Sequence, residues 1–470
     1  MKFSSLPVPE HDDVPLADDG LWDYLFETCS ARRSGLSTES QEPCVYVLSV
    51  GPERDPVVRQ AQLAEIVSLV KAQGHAVVGQ EIYHLTILRP RTLIGKGTSQ
   101  EVAQRARDLG ATMLVLDAEL SPSQMRNLED EAGITVADRE GVILNVFLRH
   151  ARSRHARIQV EIARLEYLRP RIRGVGIDMD QQMGGVAGSR GPGETASELM
   201  ARQLDDRLAE LRKANAKLRK AGENRRRHRA QECRQIALVG YTNAGKTSLM
   251  NALTDGDFSS ADRPFETLDT VSRSLSRHGG HVVLSDTVGF IRRLPERLIE
   301  SFESTLAEAR DSSLLAIVVD LSDPEWTAHL EITRDLLEKL GAGEIPRFYV
   351  FNKVDRLTER PSEDHLETVA GGSPFLLVSS HDPGSVKRLR QALLKTVRGD
   401  YQEVSLLVPY GASEVLDTIY SRCQVLASEA TPDGLAMRVQ GSSIAIDSVR
   451  QQHQVLVGLP PASIEALGVP

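Results

Sequence analysis

The chain has 470 residues, 41% hydrophobic but only 4% aromatic, and carries a formal net charge of −9; a chain of that size suggests about three domains with mainly aliphatic cores. Cys29, Cys44, Cys233 and Cys423 lie too far apart in sequence to suggest a disulfide framework or a metal-ligand cluster. No apolar run approaches the ~18 residues of a membrane span, and the N-terminus has no apolar signal core, so the expectation is a soluble cytoplasmic protein with no integral membrane segment.

Residues 1–43 carry nine acidic and three basic side chains with little periodicity. They read as an acidic, mostly disordered extension, in which Leu21–Phe26 can form a short docking helix. From Cys44 the pattern changes. Cys44–Val50 reads as a strand, Arg59–Gln73 as an amphipathic helix ending at Gly74, and Thr112–Asp117 as a second strand. Ser121 caps a helix with Pro122 in its first turn. Ile134–Val136 is a short strand, and a helix runs from Gly141 to His150. Alternating strands and helices predict a small α/β domain over 44–150. Gly95-Lys-Gly97 lacks the spacing of a phosphate loop and reads as a tight turn.

Residues 151–233 have a different character. Ile158, Ile162 and Leu165 form one apolar stripe, and Leu204, Leu208, Leu211 and Leu218 form another with a seven-residue recurrence. The two stripes suit an antiparallel helical hairpin. Between them Gly184–Thr195 is glycine-rich and polar, either an idle loop or a mobile tip. Residues 149–173 hold eight Arg against two Glu, and 201–234 hold twelve basic against five acidic side chains. On an acidic chain such clusters point to a polyanionic partner. For 201–234 a solvated coiled-coil face explains the charge equally well. The first helix and the approach to the loop carry Arg152, Arg154, Arg157, Arg164, Arg169, Arg171 and Arg173, and the loop adds Arg190; the apolar stripe faces its partner, so many of these side chains must point outward, which favours nucleic-acid phosphates.

Residues 234–400 carry the chemistry. Gly240, Tyr241, Thr242, Asn243, Ala244, Gly245, Lys246 and Thr247 follow the apolar run Ile236–Val239 and precede a helix-like run. Strand, glycine loop and helix is the order a phosphate cradle needs. Lys246 can reach the β- and γ-phosphates, and Thr247 can hold Mg²⁺ through its hydroxyl. Asp286, Thr287, Val288 and Gly289 end a second apolar run. The Asp there can hold Mg²⁺ through water, and the Gly amide can sense the γ-phosphate. Asn352, Lys353, Val354 and Asp355 end a third. The Asp355 carboxylate can accept from guanine N1–H and the 2-amino group, donors that adenine lacks; such a site discriminates by roughly 10⁴–10⁵. Val378, Ser379 and Ser380 end a fourth, where backbone can meet the base oxygen. Ligands bind at that edge of an open α/β sheet. Between the first two motifs, Phe265, Glu266, Thr267, Leu268 and Asp269 fall where a first switch loop belongs, which makes Thr267 a candidate second hydroxyl on Mg²⁺. In well-studied GTPases a Gln that orients water follows the glycine of the second motif. Phe290 stands there instead, so slow intrinsic turnover is expected.

In 401–470, Glu403–Val408 reads as a strand, Ala412–Ser428 as a helix, and Gly434–Val439 and Ser442–Ile446 as further strands. This βαββ order makes a small α+β domain. Its seven acidic and three basic residues do not suggest a nucleic-acid binder.

Taken together the pattern resembles the HflX-type ribosome-associated GTPases from about Cys44 to Leu456. The most specific parts are Leu93-Ile-Gly-Lys-Gly97, Leu120-Ser-Pro-Ser-Gln124 with Arg126-Asn-Leu128, Arg190-Gly-Pro-Gly-Glu-Thr195, Phe265–Asp269, and Asp286-Thr-Val-Gly-Phe-Ile-Arg292. The resemblance implies an α/β protein: a P-loop G domain with an N-terminal α/β domain, a helical coiled-coil hairpin and a small α+β C-terminal domain. It implies GTP as substrate and GDP as product, Mg²⁺ on Thr247 and Thr267, and Lys246, Thr267 and Gly289 at the reacting phosphate. It further implies binding to the large ribosomal subunit and its RNA through residues 149–229, hydrolysis stimulated there, and the splitting or rescue of stalled ribosomes by a monomer. Assembly of free large subunits and a nucleotide-gated scaffold are the alternatives. Ala196-Ser197, Glu266, Thr270 and Asn145 depart from the family's usual residues.

Overall fold

The computed structural model describes residues 44–85, 87, 89–172, 196–254, 271–276, 281–287, 289–301, 303–399, 401–451 and 456–457. The acidic extension, the loop 184–195, Arg173 and the whole segment from Phe265 to Asp269, with Thr267, lie outside them, as does Val288. The described residues pack as two units. One comprises residues up to Ile143 together with Arg164–Ala209, the other Leu144–Ala163 together with Glu210 onward.

The first unit is built on a four-stranded parallel sheet, from β1 (Cys44–Gly51), β2 (Ala76–His84), β3 (Met113–Leu116) and β4 (Thr135–Asp138), in the order β2-β1-β3-β4. The crossovers are α1 (Pro56–Ala72), α2 (Lys96–Asp108) and α3 (Pro122–Ala132). Each helix start has a local cause. Asp55 caps α1 by accepting from Val57 N–H, and Ser121 with Gln124 forms a reciprocal capping box on α3. Gly95 is not a turn glycine: its φ is −68° and it is the N-cap of α2. The strand β2 was not legible, because its exposed and half-buried edge carries Gly79, Gln80 and Glu81 among its apolar residues.

After α4 (Arg139–His150) come α5 (Arg154–Ile172) and α6 (Ala196–Glu232). Arg169 pairs with Asp205, and His155 meets Asn215 at 3.1 Å, so these two helices run in opposite directions. Ile158, Ile162, Leu165, Leu204, Leu208 and Leu211 are buried; Leu218 is half-buried. On α5 the burial extends well beyond one stripe, to Ala156, Gln159, Val160, Ala163, Tyr167 and Leu168. Not every arginine of this helix points outward: Arg164 and Arg171 are buried. Arg171 stacks on the Tyr167 ring at 3.5 Å and donates to Asp138 (3.1 Å) and to the Leu120 carbonyl (3.0 Å). Arg152, Arg154, Arg157 and Arg169 are exposed.

The second unit holds a six-stranded sheet of β5 (Cys233–Gly240), β6 (Val271–Ser276), β7 (His281–Asp286), β8 (Leu314–Asp320), β9 (Arg347–Asn352) and β10 (Phe375–Leu377). Their order is β10-β9-β8-β5-β7-β6, all parallel except the edge strand β6. The parallel register aligns Leu238 with Asp286, Gly240 with Val318 and Asp320 with Asn352, so the ends of the strands form one edge. The crossovers include α7 (Lys246–Thr254), the short α8 (Glu296–Ser301) and α9 (Glu303–Arg310), α10 (Trp326–Lys339), α11 (Glu363–Ala370) and α12 (Pro383–Val397). Leu249, Leu253, Leu389 and Leu393 pack from α7 and α12 against Ile236, Leu238, Leu284 and Val350 of the sheet.

The same unit ends in an antiparallel sheet of β11 (Gln402–Val408), β12 (Gln424–Thr431), β13 (Gly434–Gly441) and β14 (Leu456–Val457), in the order β12-β13-β11-β14. Two sequence expectations are corrected here. The helix α13 (Ser413–Arg422) does not run to Ser428: Cys423 is extended, and 424–431 pair with β13 as β12. Ladder pairing overrides the helical pattern of that stretch. Ser442–Ile446 is not a strand. The Ser442 hydroxyl accepts from Ala445 N–H at 3.3 Å and starts α14 (Ser443–Gln451), whose Ala445, Ile446 and Val449 enter the core.

Candidate nucleotide site

The loop between β5 and α7 has a backbone that glycine alone permits at two places. Gly240 has φ +151°, and a Cβ there would stand 2.3 Å from the Val318 carbonyl oxygen. Gly245 has φ +91°, and a Cβ would stand 2.3 Å from Asn352 Nδ2. Asn243 is also left-handed, at φ +60°, and is exposed. Lys246 sits at the start of α7, 7% exposed, and its ammonium donates to the carbonyls of Gly240 (3.0 Å) and Tyr241 (2.8 Å). Burial pushes its pKa down to about 8, only partly opposed by the Asp286 charge. Next to it the Thr247 hydroxyl donates to Asp286 Oδ2 at 2.8 Å, and Asp286 is fully buried at the end of β7.

The base side is built by the neighbouring strand ends. Asn352 is fully buried; its amide donates to the Ala244 carbonyl at 2.9 Å and so ties the phosphate loop to β9. The left-handed Lys353 pairs with Asp320 at 2.7 Å. Val354 opens a short 3₁₀ turn, and its N–H meets the Val378 carbonyl at 3.4 Å. Asp355 is exposed in that turn. A hydrogen bond from Ser379 holds its carboxyl below the usual carboxylate range. Ser379 is buried, Ser380 half-buried, and Val378 continues the strand edge.

The structure therefore gathers at one edge Gly240–Thr247, Asp286, Gly289, Asn352–Asp355 and Val378–Ser380. Thr287 differs from the rest. It is fully buried and its hydroxyl donates to the Leu238 carbonyl at 2.7 Å, so its side chain joins β7 to β5 instead of facing a ligand. Phe290 is 1% exposed. Sequence reasoning did not find Asp320, whose role depends on the β8–β9 register. It also missed His329, which lies on α10 and stacks on Tyr241 with ring centroids 3.7 Å apart.

A glycine loop between strand and helix, a buried lysine, a strand-end Asp beside a Thr hydroxyl and a carboxylate among the base-side strand ends define a P-loop GTPase. Three family models match in succession: GTP-binding GTPase N-terminal over 60–148, GTP-binding GTPase Middle Region over 150–229, and 50S ribosome-binding GTPase over 235–353. The GTPase HflX of Gluconacetobacter diazotrophicus is 36% identical over 459 residues, which cover 88% of this chain and 99% of that one. That of Alkalihalophilus pseudofirmus is 39% identical over 416 residues, with 88% and 97% covered. That of Escherichia coli is 35% identical over 350 residues, with 74% and 82% covered. The chain belongs to the HflX family of GTPases.

Proposed function

We propose that the chain binds the large ribosomal subunit in its GTP state, hydrolyses GTP slowly on its own and faster there, and uses the cycle to split or rescue stalled ribosomes as a cytoplasmic monomer. The observation that carries this reading is the match of residues 235–353 to a 50S ribosome-binding GTPase. Exposed Arg152, Arg154 and Arg157 on and before α5 suit RNA phosphates. Lys246 would neutralise charge between the β- and γ-phosphates, and the amides of Gly245, Lys246 and Thr247 at the start of α7 would hold their oxygens. Asp355, with Ser379 on its carboxyl, would accept from the guanine edge.

The residues present suit Mg²⁺. Thr247 and the buried Asp286 offer hard oxygen donors side by side, and Thr267 is proposed as the further hydroxyl. When bound, the ion supplies positive charge at the phosphate oxygens. Thr247 and Asp286 orient each other, while Lys246 holds the phosphate chain against the loop.

The test is a sucrose gradient of intact ribosomes with the full chain and either GTP or a non-hydrolysable analogue. Dissociation into subunits with GTP, and its loss in Lys246→Ala, are expected. Binding only to free large subunits would replace this reading with an assembly role. Binding that ignores the nucleotide would overturn both. Replacing Arg152, Arg154 and Arg157 by Gln should flatten the salt dependence of binding and leave basal GTP hydrolysis unchanged.

A further inference from the structure

The second P-loop residue, Tyr241, lies at a junction that its place in the glycine loop does not explain. Its side chain is buried, and its ring stacks on His329 at 3.7 Å with 8° between planes. Its hydroxyl accepts the main-chain N–H of Arg292 at 2.8 Å. The Arg292 guanidinium in turn donates to Glu325 at 2.9 Å, both side chains being mostly buried just before α10. The backbone completes the junction. Tyr241 and Phe290 form a parallel bridge: Phe290 N–H donates to the Gly240 carbonyl at 3.0 Å, and Thr242 N–H donates to the Phe290 carbonyl at 2.7 Å. The segment after Gly289 is thus held by the P-loop on one side and by Tyr241 and Glu325 on the other.

Gly289 has little latitude in that position. A Cβ on it would lie 3.0 Å from Thr242 Cγ2 and 3.1 Å from Lys246 Nζ. Its main chain therefore runs past the ammonium that serves the β- and γ-phosphates. Phe290 is buried and its ring has no group to orient water, so the segment acts on the phosphate through its backbone. A backbone donor is only as well placed as the ties that fix the chain on both sides of it.

We infer that Tyr241 is a positioning residue for GTP hydrolysis: its hydroxyl fixes the main chain of Arg292 and so sets the Gly289 main chain, which passes Lys246, for its amide to read the γ-phosphate. Neither the glycine loop's spacing nor the Asp-x-x-Gly motif implies this role. It links two residues 51 apart in the chain, Tyr241 and Arg292, through one hydroxyl. The role rests on the nucleotide reading proposed above: with the Gly289 amide meeting the γ-phosphate and not the β-phosphate, the hydroxyl separates triphosphate from diphosphate. GDP would be held by Lys246, Thr247 and the amides at the start of α7, whereas the hydroxyl accepts from the Arg292 main chain.

The experiment uses the full chain as parent, Tyr241→Phe, Glu325→Gln and the double variant. Affinities for GDP and for a non-hydrolysable GTP analogue are measured by fluorescence titration, and single-turnover hydrolysis by phosphate release. Tyr241→Phe keeps the ring that stacks on His329 and removes the hydroxyl that accepts from Arg292 N–H. The analogue affinity and the hydrolysis rate should fall about tenfold, or 1.4 kcal/mol, the loss expected for one buried hydrogen bond. GDP affinity should stay within about twofold. Glu325→Gln weakens the second tie without touching the P-loop and should shift the same ratio in the same direction, with a non-additive double variant because both act on Arg292. An equal loss of GDP and analogue affinity would mean that Tyr241 merely supports the loop, and the inference falls. It falls also if folded Tyr241→Phe, or Glu325→Gln should Tyr241→Phe not fold, keeps the parent's analogue-to-GDP ratio and hydrolysis rate.

Discussion

Raising the pH above 8 should weaken nucleotide binding, and Lys246 sets both the window and the size. Its ammonium is buried and its pKa is lowered from 10.5 to about 8. Phosphate oxygens favour the charged form, so binding must capture a proton whenever Lys246 starts out neutral. Below about pH 7 the amine is already charged and affinity should be flat. At pH 8 about half a proton should be taken up per nucleotide, and from pH 8 to 9 affinity should drop by about fivefold, approaching tenfold per unit beyond. The folding linkage has the opposite sense. Below pH 8 the lysine is charged in both folded and unfolded chains, and holding it charged in its buried place costs about 3 kcal/mol. Between about 8 and 10.5 the unfolded chain holds more protons than the folded one, so the empty domain gains stability as pH rises. Stability and affinity thus move in opposite directions over the same window. Calorimetric titration of GDP at pH 6.5 and 8.0, each in two buffers of different ionisation enthalpy, reads the proton uptake directly. Equal, near-zero uptake at both values would refute the argument, because it would mean that Lys246 is charged in the empty site.

Asp355→Asn should weaken GTP binding by at least about a hundredfold and admit xanthosine triphosphate, whose base oxygen would then meet an amide donor; equal GTP affinity in parent and variant would show that the base is read elsewhere. Arg139, almost fully buried, donates to Asp117 at 2.7 Å and pairs with Glu65. Burial alone would lower its pKa, but the two carboxylates outweigh that and raise it. Arg139→Ala strands both carboxylates and should cost about 3–5 kcal/mol of stability in the unit built on β1–β4. A lowered first thermal transition with GDP affinity unchanged is the expected result, and an unchanged melting profile would contradict it.

What the amino-acid order determined by itself are features whose cause is local. Gly240 and Gly245 mark backbone that a side chain would block, Ser121 and Gln124 mark a helix start, and the four motifs sit where apolar runs end. The parallel α/β edge followed from those positions, because consecutive parallel strands bring their ends together. Tertiary structure decided whatever depends on the far side of an element. A stripe such as Ile158, Ile162 and Leu165 fixes one buried face of a helix, but it does not say whether the opposite face is wet. On α5 that face also packs, so Arg164 and Arg171 turn inward while Arg154 and Arg157 stay out. Residues 424–431 alternate too weakly to declare a strand, and only the partner β13 makes them one. Thr287, part of the Asp286–Gly289 motif, turns its hydroxyl to Leu238 because the β5–β7 register brings that carbonyl within reach. The lowered pKa of Lys246 and the hydroxyl link from Tyr241 to Arg292 likewise arise from groups brought together through space, at separations over which sequence periodicity carries no information.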